Sequence, residues 1–320
     1  MFYSVLLIIS AFFMVKRKTI NSNNLFFCFF IITFAAMSAI MRLTPEGDFT
    51  SYTNALRMNS FIFYYIREPV VWLGQRYLFS ILQSTYWTFV IFDVMIALVL
   101  YKALKRVDLP QYAYYSFLAF FPFVMGFNNV YRQWVAAVFF LYAFTLIRDR
   151  SSWGWLWYIL SILAHNVAGV FVPLLFVDYK SSFKKIVFIF LLLSTPALIS
   201  FGGSSKASTE TGASLELAYL TLLFAIFIFY AASDKLKIKF SDIKNYKSLW
   251  VVFYISGLAT LMLSSGIAER VSMFSLMLIY PYIALKIETN FKKPYLMRLI
   301  FAVSGLLPLF LFSSGALILK

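Results

Sequence analysis

The sequence is poor both in the charged residues that keep a domain in solution and in the residues that bind metals. Only 13% of its 320 residues are charged, whereas 62% are hydrophobic and 21% are aromatic. This mixture lies far outside that of soluble globular proteins and excludes a soluble protein. The single cysteine, Cys28, lies in an apolar run, which excludes a disulfide framework and a thiolate metal cluster, and the single histidine, His165, excludes a histidine-rich metal site. A catalytic metal would therefore have to be bound by carboxylates alone, and we expect neither a metal nor another cofactor.

Acidic residues are scarcer than basic ones, 13 against 28, and the formal charge is +15. Lysines between apolar segments are what insertion into a membrane with a negative inner face requires. We therefore interpret the basic charge as topological and expect no nucleic-acid partner. The first apolar run, 2–15, is followed by Lys16-Arg17-Lys18 and lacks a small-residue cleavage pattern, which predicts a first span rather than a cleaved signal.

The apolar runs predict an all-α polytopic membrane protein with about ten spanning helices, since a helix needs roughly 17 to 25 residues to cross the hydrocarbon layer. The predicted spans are 25–41, 85–102, 111–127, 130–147, 217–232, 249–265, 270–287 and 299–318, with two shorter ones at 2–15 and 186–200. No internal repeat is visible, so we predict one transmembrane domain over 1–320, with outer loops at about 42–84 and about 201–216. Within the longer loop, Pro69 to Leu82 predicts a helix along the membrane surface.

The stretch 153–177 fits either one long span or two limbs that meet near His165-Asn166 and return to the side they came from. Positive charge decides between them, because lysine and arginine accumulate on the inner side. A hairpin leaves twenty of the 28 basic residues inside, whereas a single crossing moves the loop 234–247, with its five lysines, outside. We therefore predict a re-entrant helical hairpin, with both chain ends outside.

On this topology the outer side is rich in arginine. It holds Arg42, Arg57, Arg67, Arg76, Arg132, Arg270, Lys206 and Lys320, whereas only five of the twenty inner basic residues are arginine. Guanidinium is planar, weakly hydrated and able to hold phosphate or carboxylate oxygens in a bidentate fork. The bias predicts an anionic ligand on the outer face. Contact with lipid headgroups is the alternative, and we adopt it for Arg57 alone.

Arg132 and Arg270 lie near the predicted starts of two helices that run from outside to inside. The partially positive ends of such helices face outward, and a further cation there is expected when an anion binds between them. For the run from Asn128 to Gln133 the structural alternative is an asparagine cap followed by an interfacial aromatic residue. We favour the anion-binding interpretation. For Glu269, a local ion pair with Arg270 and a catalytic role both stay open.

Four further side chains are candidates for chemistry. His165, the one side chain whose unperturbed pKa lies near neutrality, falls at the predicted hairpin tip, where irregular backbone lines a cavity; a buried histidine bonded to a carbonyl is the alternative. Asp93 lies within a span, where a charge costs about 2.5–3.5 kcal/mol, and is either functional or a structural partner of another helix. Asp48 and Glu68, in the outer loop, are candidate general bases toward a sugar hydroxyl, with solvated loop charges as the alternative.

Several short patches carry a family resemblance. They are Gly47-Asp48 with Tyr52, Glu68 at the head of an amphipathic stretch, Asn129 to Ala136 (NVYRQWVA), Ala164 to Ala168 (AHNVA), and Glu269-Arg270 with the aromatic-rich span through Tyr282. In these patches the chain resembles the EpsG-like family of Wzy-type O-antigen (polysaccharide repeat-unit) polymerases. The family commonly has a small hydroxylated residue two positions after the histidine, where this chain has Val167.

The resemblance implies a GT-C-like glycosyltransferase in the bacterial inner membrane, with its active site facing the periplasm. It would use undecaprenyl-diphosphate-linked oligosaccharide as donor and acceptor in O-antigen and lipopolysaccharide biosynthesis. Its further expected partners are membrane lipid and a separate chain-length regulator protein. We expect Arg132 and Arg270, with Arg67 or Arg76, to bind the diphosphate and one of Asp48, Glu68 and His165 to act as base. The expected supporting residues are Tyr52, Asn129, Tyr131, Gln133 and Glu269.

Three other functions are alternatives to the polymerase. A lipid-linked oligosaccharide flippase or transporter could use the same outer arginines, but such carriers usually have two similar halves, and no duplication is visible in the sequence. A membrane acyltransferase that modifies surface sugars would place its histidine and arginines toward a cytoplasmic acyl donor, whereas the predicted topology places the arginines outside. A purely structural subunit does not explain the arginine bias.

Overall fold

The computed structural model of the protein describes residues 9, 24–43, 48–58, 64–177, 181–202, 216–233, 243–263, 265–291 and 294–311. All regular structure within these residues is helical. Of the predicted span at 2–15 only Ile9 is described. The greater part of the predicted outer loop at 201–216, and the end of the last predicted span beyond residue 311, lie outside the described residues.

Fifteen α-helices and one 3-10 segment make up the described chain. They are α1 (Asn24–Met41), α2 (Asp48–Arg57), α3 (Tyr64–Arg67), α4 (Pro69–Leu82), α5 (Thr85–Arg106), α6 (Gln111–Ala119), α7 (Phe121–Asn129), α8 (Tyr131–Arg148), α9 (Trp153–Ala164), α10 (Val167–Val170), α11 (Ser182–Gly202), α12 (Glu216–Ser233), α13 (Ile243–Met262), α14 (Ser265–Asn290) and α15 (Pro294–Leu311), with the 3-10 segment at Val172–Phe176.

Four of the described helices are long and apolar enough to cross a membrane: Asn24–Met41, Thr85–Arg106, Ser182–Ser200 and Gly266–Asn290. The all-α membrane class predicted from the sequence is therefore confirmed. The count of about ten spans and the GT-C-like arrangement stay predictions. The helix predicted from Pro69 is also present as α4, with the proline in its first turn, where its missing N–H is not needed.

The predicted span 111–127 is wrong as one continuous helix, because it consists of α6 and α7, which meet at Phe120. Phe120 is extended, with φ −67° and ψ 129°. Pro122 explains the break, since proline cannot donate to the carbonyl four residues earlier and its ring collides with it. Both pieces nevertheless lie along α1 in one direction, with Tyr114 5.2 Å from Phe26 and Phe123 6.4 Å from Phe34, measured between ring centroids.

The stretch 153–177 turns back on itself at His165-Asn166. Its first limb, α9, packs along α8, where the Ser161 hydroxyl donates to the Ala136 carbonyl at 2.7 Å. Its second limb consists of α10 and the 3-10 segment, and it ends with the Phe176 ring 5.6 Å from that of Trp155, near the start of α9. The chain therefore folds as a hairpin with His165 at its tip. The second limb is less regular than predicted because Gly169 and Pro173, both poor helix formers, interrupt it.

The hairpin is held against α8 by a close approach at Gly154. A Cβ atom there would lie 2.5 Å from Ile147 Cγ1 and 2.8 Å from the Ile147 backbone nitrogen. We expect Gly154→Ala to destabilise the fold by about 1–3 kcal/mol, because a backbone nitrogen cannot move aside as a flexible side chain can. The measurement is the fraction of purified protein that stays monodisperse in detergent after heating. Gly257→Ala is the matched control, since a Cβ there meets nothing within 4 Å; equal losses in both variants would contradict close packing at Gly154.

Candidate active site

The site centres on an ion pair between Arg132 and Glu68. Arg132 lies in the first turn of α8, and Glu68 immediately precedes α4 without capping it by a side-chain hydrogen bond. Arg132 Nη1 donates to Glu68 Oε2, and Arg132 Nε donates to the Tyr52 hydroxyl of α2 at 3.1 Å. The Arg132 guanidinium carbon lies 5.5 Å from the centre of the Trp72 ring. Two segments of the chain between α1 and α5 therefore converge on the start of α8.

The hairpin tip closes the site on its other side. His165 Nε2 lies 3.8 Å from Glu68 Oε1, and the Asn166 backbone forms a hydrogen bond with the Glu68 carboxylate. Burial raises the pKa of Glu68 above its ordinary value of 4.5, although Arg132 and the hydrogen bond from Asn166 lower it. A carboxyl group with a raised pKa is a stronger base than an exposed one, which suits proton transfer near neutral pH.

The backbone of the hairpin fixes the tautomer of His165. The Val167 N–H donates to His165 Nδ1 at 3.2 Å. In the neutral ring the proton therefore sits on Nε2, the nitrogen nearest Glu68. Val167 stands where the family commonly has a small hydroxylated residue. This contact needs no side-chain hydroxyl, because the hydrogen bond comes from the Val167 backbone.

Arg270 reaches the same region from α14. The Gln133 side-chain amide donates to the Arg270 backbone carbonyl, so the start of α8 is tied directly to α14. Both Arg132 and Arg270 lie within electrostatic range of His165. One expectation is wrong: α14 begins at Ser265, so Arg270 lies in the second turn. The helix-end argument holds for Arg132 only.

A second buried network, centred on Asp93, adjoins this site through Tyr131. Asp93 accepts hydrogen bonds from Ser38 at 2.6 Å, from Arg42 Nε at 3.0 Å and from the Tyr131 hydroxyl at 2.5 Å. Asp93 is 0% exposed and Arg42 4% exposed, and the Arg42 guanidinium carbon lies 3.4 Å from the centre of the Phe49 ring. Every partner is in place, which supports the structural interpretation of Asp93. The network fixes Tyr131, and thereby the neighbouring Arg132.

We expect Asp93→Asn to destabilise the protein by roughly 2–3 kcal/mol, because the buried guanidinium of Arg42 loses its counter-charge while the amide oxygen still accepts one bond. The measurement is the melting temperature in detergent. Asp149→Asn is the control: that carboxylate pairs with Arg106 at 2.9 Å but is 56% exposed, and exposed pairs contribute little. If the two variants melted together, the Asp93 network would not be a stabilising element.

The remaining predicted residues occupy varied positions. Arg67 is exposed but lies within electrostatic range of Glu68. Arg76 donates to the Met58 carbonyl at 2.6 Å, and its guanidinium carbon lies 5.7 Å from the Tyr65 ring centre, so its described contacts hold the end of α2.

Glu269 is buried and within electrostatic range of Tyr219. Asp48 begins α2, and its side chain lies outside the described residues.

The asparagine-cap interpretation of the run from Asn128 to Gln133 is wrong. Asn129 is the exposed last residue of α7, and its side-chain amide points to the Met125 sulfur at 3.9 Å. The cap position of α8 is Val130, which makes no side-chain cap bond. Sequence reasoning also missed the Trp72 ring and the Asn166 backbone. Two signals for them were available in the sequence. Trp72 follows the carboxylate of Glu68 by four positions, and Asn166 is a polar residue at the predicted helix break.

Three comparisons with known proteins bear on the family of the chain. A family model described as the EpsG family matches residues 24–318, which is nearly the whole chain. No curated protein and no solved structure matches it.

Proposed function

The chain belongs to the EpsG family of polysaccharide polymerase-type membrane proteins, and on this basis we propose that it joins undecaprenyl-diphosphate-linked oligosaccharide units into O-antigen or a related surface polysaccharide. The observation that carries the proposal is the buried Glu68 carboxylate held between Arg132 and His165. The arrangement supports the proposal because a carboxylate of raised pKa lies beside cations suited to a diphosphate.

The arginines stabilise the leaving group in this proposal. As the bond from the donor sugar to the diphosphate breaks, negative charge grows on the phosphate oxygens, and preorganised cations lower the energy of that state. Arg132 and Arg270 supply this charge from α8 and α14. Arg67 is the favoured helper because it lies within range of Glu68, whereas the described contacts of Arg76 are with Met58 and Tyr65.

Glu68 is the base in this mechanism. Its carboxylate takes the proton of an acceptor hydroxyl, the hydroxyl oxygen bonds to the anomeric carbon of the donor, and the bond to the diphosphate oxygen breaks with its electron pair on undecaprenyl diphosphate. Arg132 exchanges its contact with Glu68 for the diphosphate as the donor binds, which frees the carboxylate. His165 lies beside the carboxylate, with its Nε2 3.8 Å from Glu68 Oε1.

The pH dependence of polymerisation follows from the site of Glu68. A base acts only when deprotonated, so activity falls as the pH drops through its pKa. Because burial raises the pKa of Glu68 above 4.5, we expect the acid limb at higher pH than for an ordinary glutamate. The measurement is the initial rate of chain extension in membrane vesicles between pH 4 and pH 8. A rate that stays flat down to pH 4.5 would exclude Glu68 as the base.

Periplasmic orientation is part of the proposal and is supported by the sorting of lysine and arginine in the sequence. Deletion in a host that makes a defined surface polysaccharide tests the function. A polymerase leaves single capped repeat units. Lipid-linked units trapped inside the cell would instead indicate a flippase, and full-length chains lacking acyl groups would indicate an acyltransferase.

A further inference from the structure

A cavity of about 260 Å³ lies at the end of α8 opposite Arg132. Arg148, at its rim, is 16 residues further along the helix, or about 24 Å. The walls are largely apolar and come from α5, α8 and α14; they include Leu104, Leu141, Phe144, Leu278 and Leu285. The cavity is therefore separate from the Glu68 site and is built by the helices that also carry Arg132 and Arg270.

The rim of this cavity is basic. Arg106 and Arg148 line it together with Asp149, and Arg106 Nη2 lies 2.9 Å from Asp149 Oδ2. One carboxylate thus faces two guanidinium groups. Lys102, Lys105 and Arg150 are exposed nearby on α5 and after α8, together with the carboxylate of Asp108, so the surrounding surface carries an excess of positive charge.

We propose that this cavity binds an anionic glycerophospholipid, with one acyl chain against the apolar walls and the headgroup phosphate on Arg106 and Arg148. Basic pockets between membrane helices bind anionic headgroups on the cytoplasmic side, and guanidinium grips phosphate in a bidentate fork. A free phosphate would satisfy the rim but leave the apolar walls uncovered, whereas a phospholipid matches both. The proposal goes beyond the proposed polymerase function and does not depend on it.

Native mass spectrometry of the purified full-length chain in detergent tests the proposal. We expect phosphatidylglycerol to bind with an apparent affinity roughly fivefold to tenfold above that of phosphatidylcholine with the same acyl chains. Glycerol phosphate, which carries the headgroup charge without acyl chains, should not displace it. Equal binding of both lipids, or full displacement by glycerol phosphate, would overturn the proposal.

Two variants assign the binding to this cavity. Arg148→Gln should abolish the preference for phosphatidylglycerol, whereas Lys102→Gln, which removes the same charge from a residue that does not line the cavity, should keep at least half of it. Ala103→Leu fills the cavity from α5 and should abolish binding although both arginines remain. Size-exclusion profiles show which variants are folded. Unchanged lipid binding in folded Arg148→Gln and Ala103→Leu protein would place the lipid elsewhere.

Discussion

Replacing Arg132 with lysine is expected to reduce the surface polysaccharide from long chains to single or very short repeat units. Lysine keeps the positive charge but carries its three donors on a single nitrogen atom in place of a planar fork. It therefore cannot reproduce the geometry in which Arg132 bonds Glu68 through Nη1 and the Tyr52 hydroxyl through Nε, or grip the diphosphate in a bidentate fork. Loss of such a transition-state contact costs about a hundredfold to a thousandfold in rate.

The measurement is the chain-length ladder of the polysaccharide in a deletion strain that carries the variant, with the amount of protein in the membrane determined in parallel. Arg57→Lys is the matched control, because Arg57 is an exposed arginine at the end of α2. It should restore the full ladder. Long chains of normal length from an Arg132→Lys strain would count against a diphosphate role for this residue.

The fold was predictable where one local property decides the structure. Long apolar runs alone predicted α1, α5 and α8, and the polar pair His165-Asn166 inside an apolar stretch predicted the hairpin tip. The break at Phe120 was missed, although Pro122 was visible, because the apolar run continues through it. The start of α14 was placed too late because Gly266 and Ile267 carry no signal as clear as the charge of Glu269-Arg270.

The site was predictable as a set of residues but not as an arrangement. Glu68, Arg132 and His165 were each singled out, yet their contacts span 64 positions between Glu68 and Arg132, and no local pattern encodes such a contact. The pairing of Asp93 with Arg42 could have been predicted from the sequence, because an acidic group within a membrane span requires a partner. The alternative interpretation of Asn129 as a helix cap failed because a cap depends on where the helix begins, and α8 begins one residue later than predicted.

Glu68→Gln separates two roles that the geometry of the ion pair leaves combined. A glutamine has the same shape, and its amide oxygen can still accept from Arg132, so a Glu68 that only positions Arg132 should tolerate the change. A Glu68 that removes the acceptor proton should not, because an amide is not a base at physiological pH. We expect the second result, with chain extension lowered by about a hundredfold to ten-thousandfold.

Glu68→Asp provides the complementary measurement. Aspartate keeps the base but withdraws it by one methylene from the acceptor, so extension should be slow yet measurable and should lie between the parent and the glutamine variant. Asp149→Asn, which neutralises a carboxylate at the other end of α8, is the control for loss of negative charge alone. If Glu68→Gln extended chains as well as Glu68→Asp did, the carboxylate would be a positioning group for Arg132, and the proton acceptor would have to be sought at His165 or Asp48.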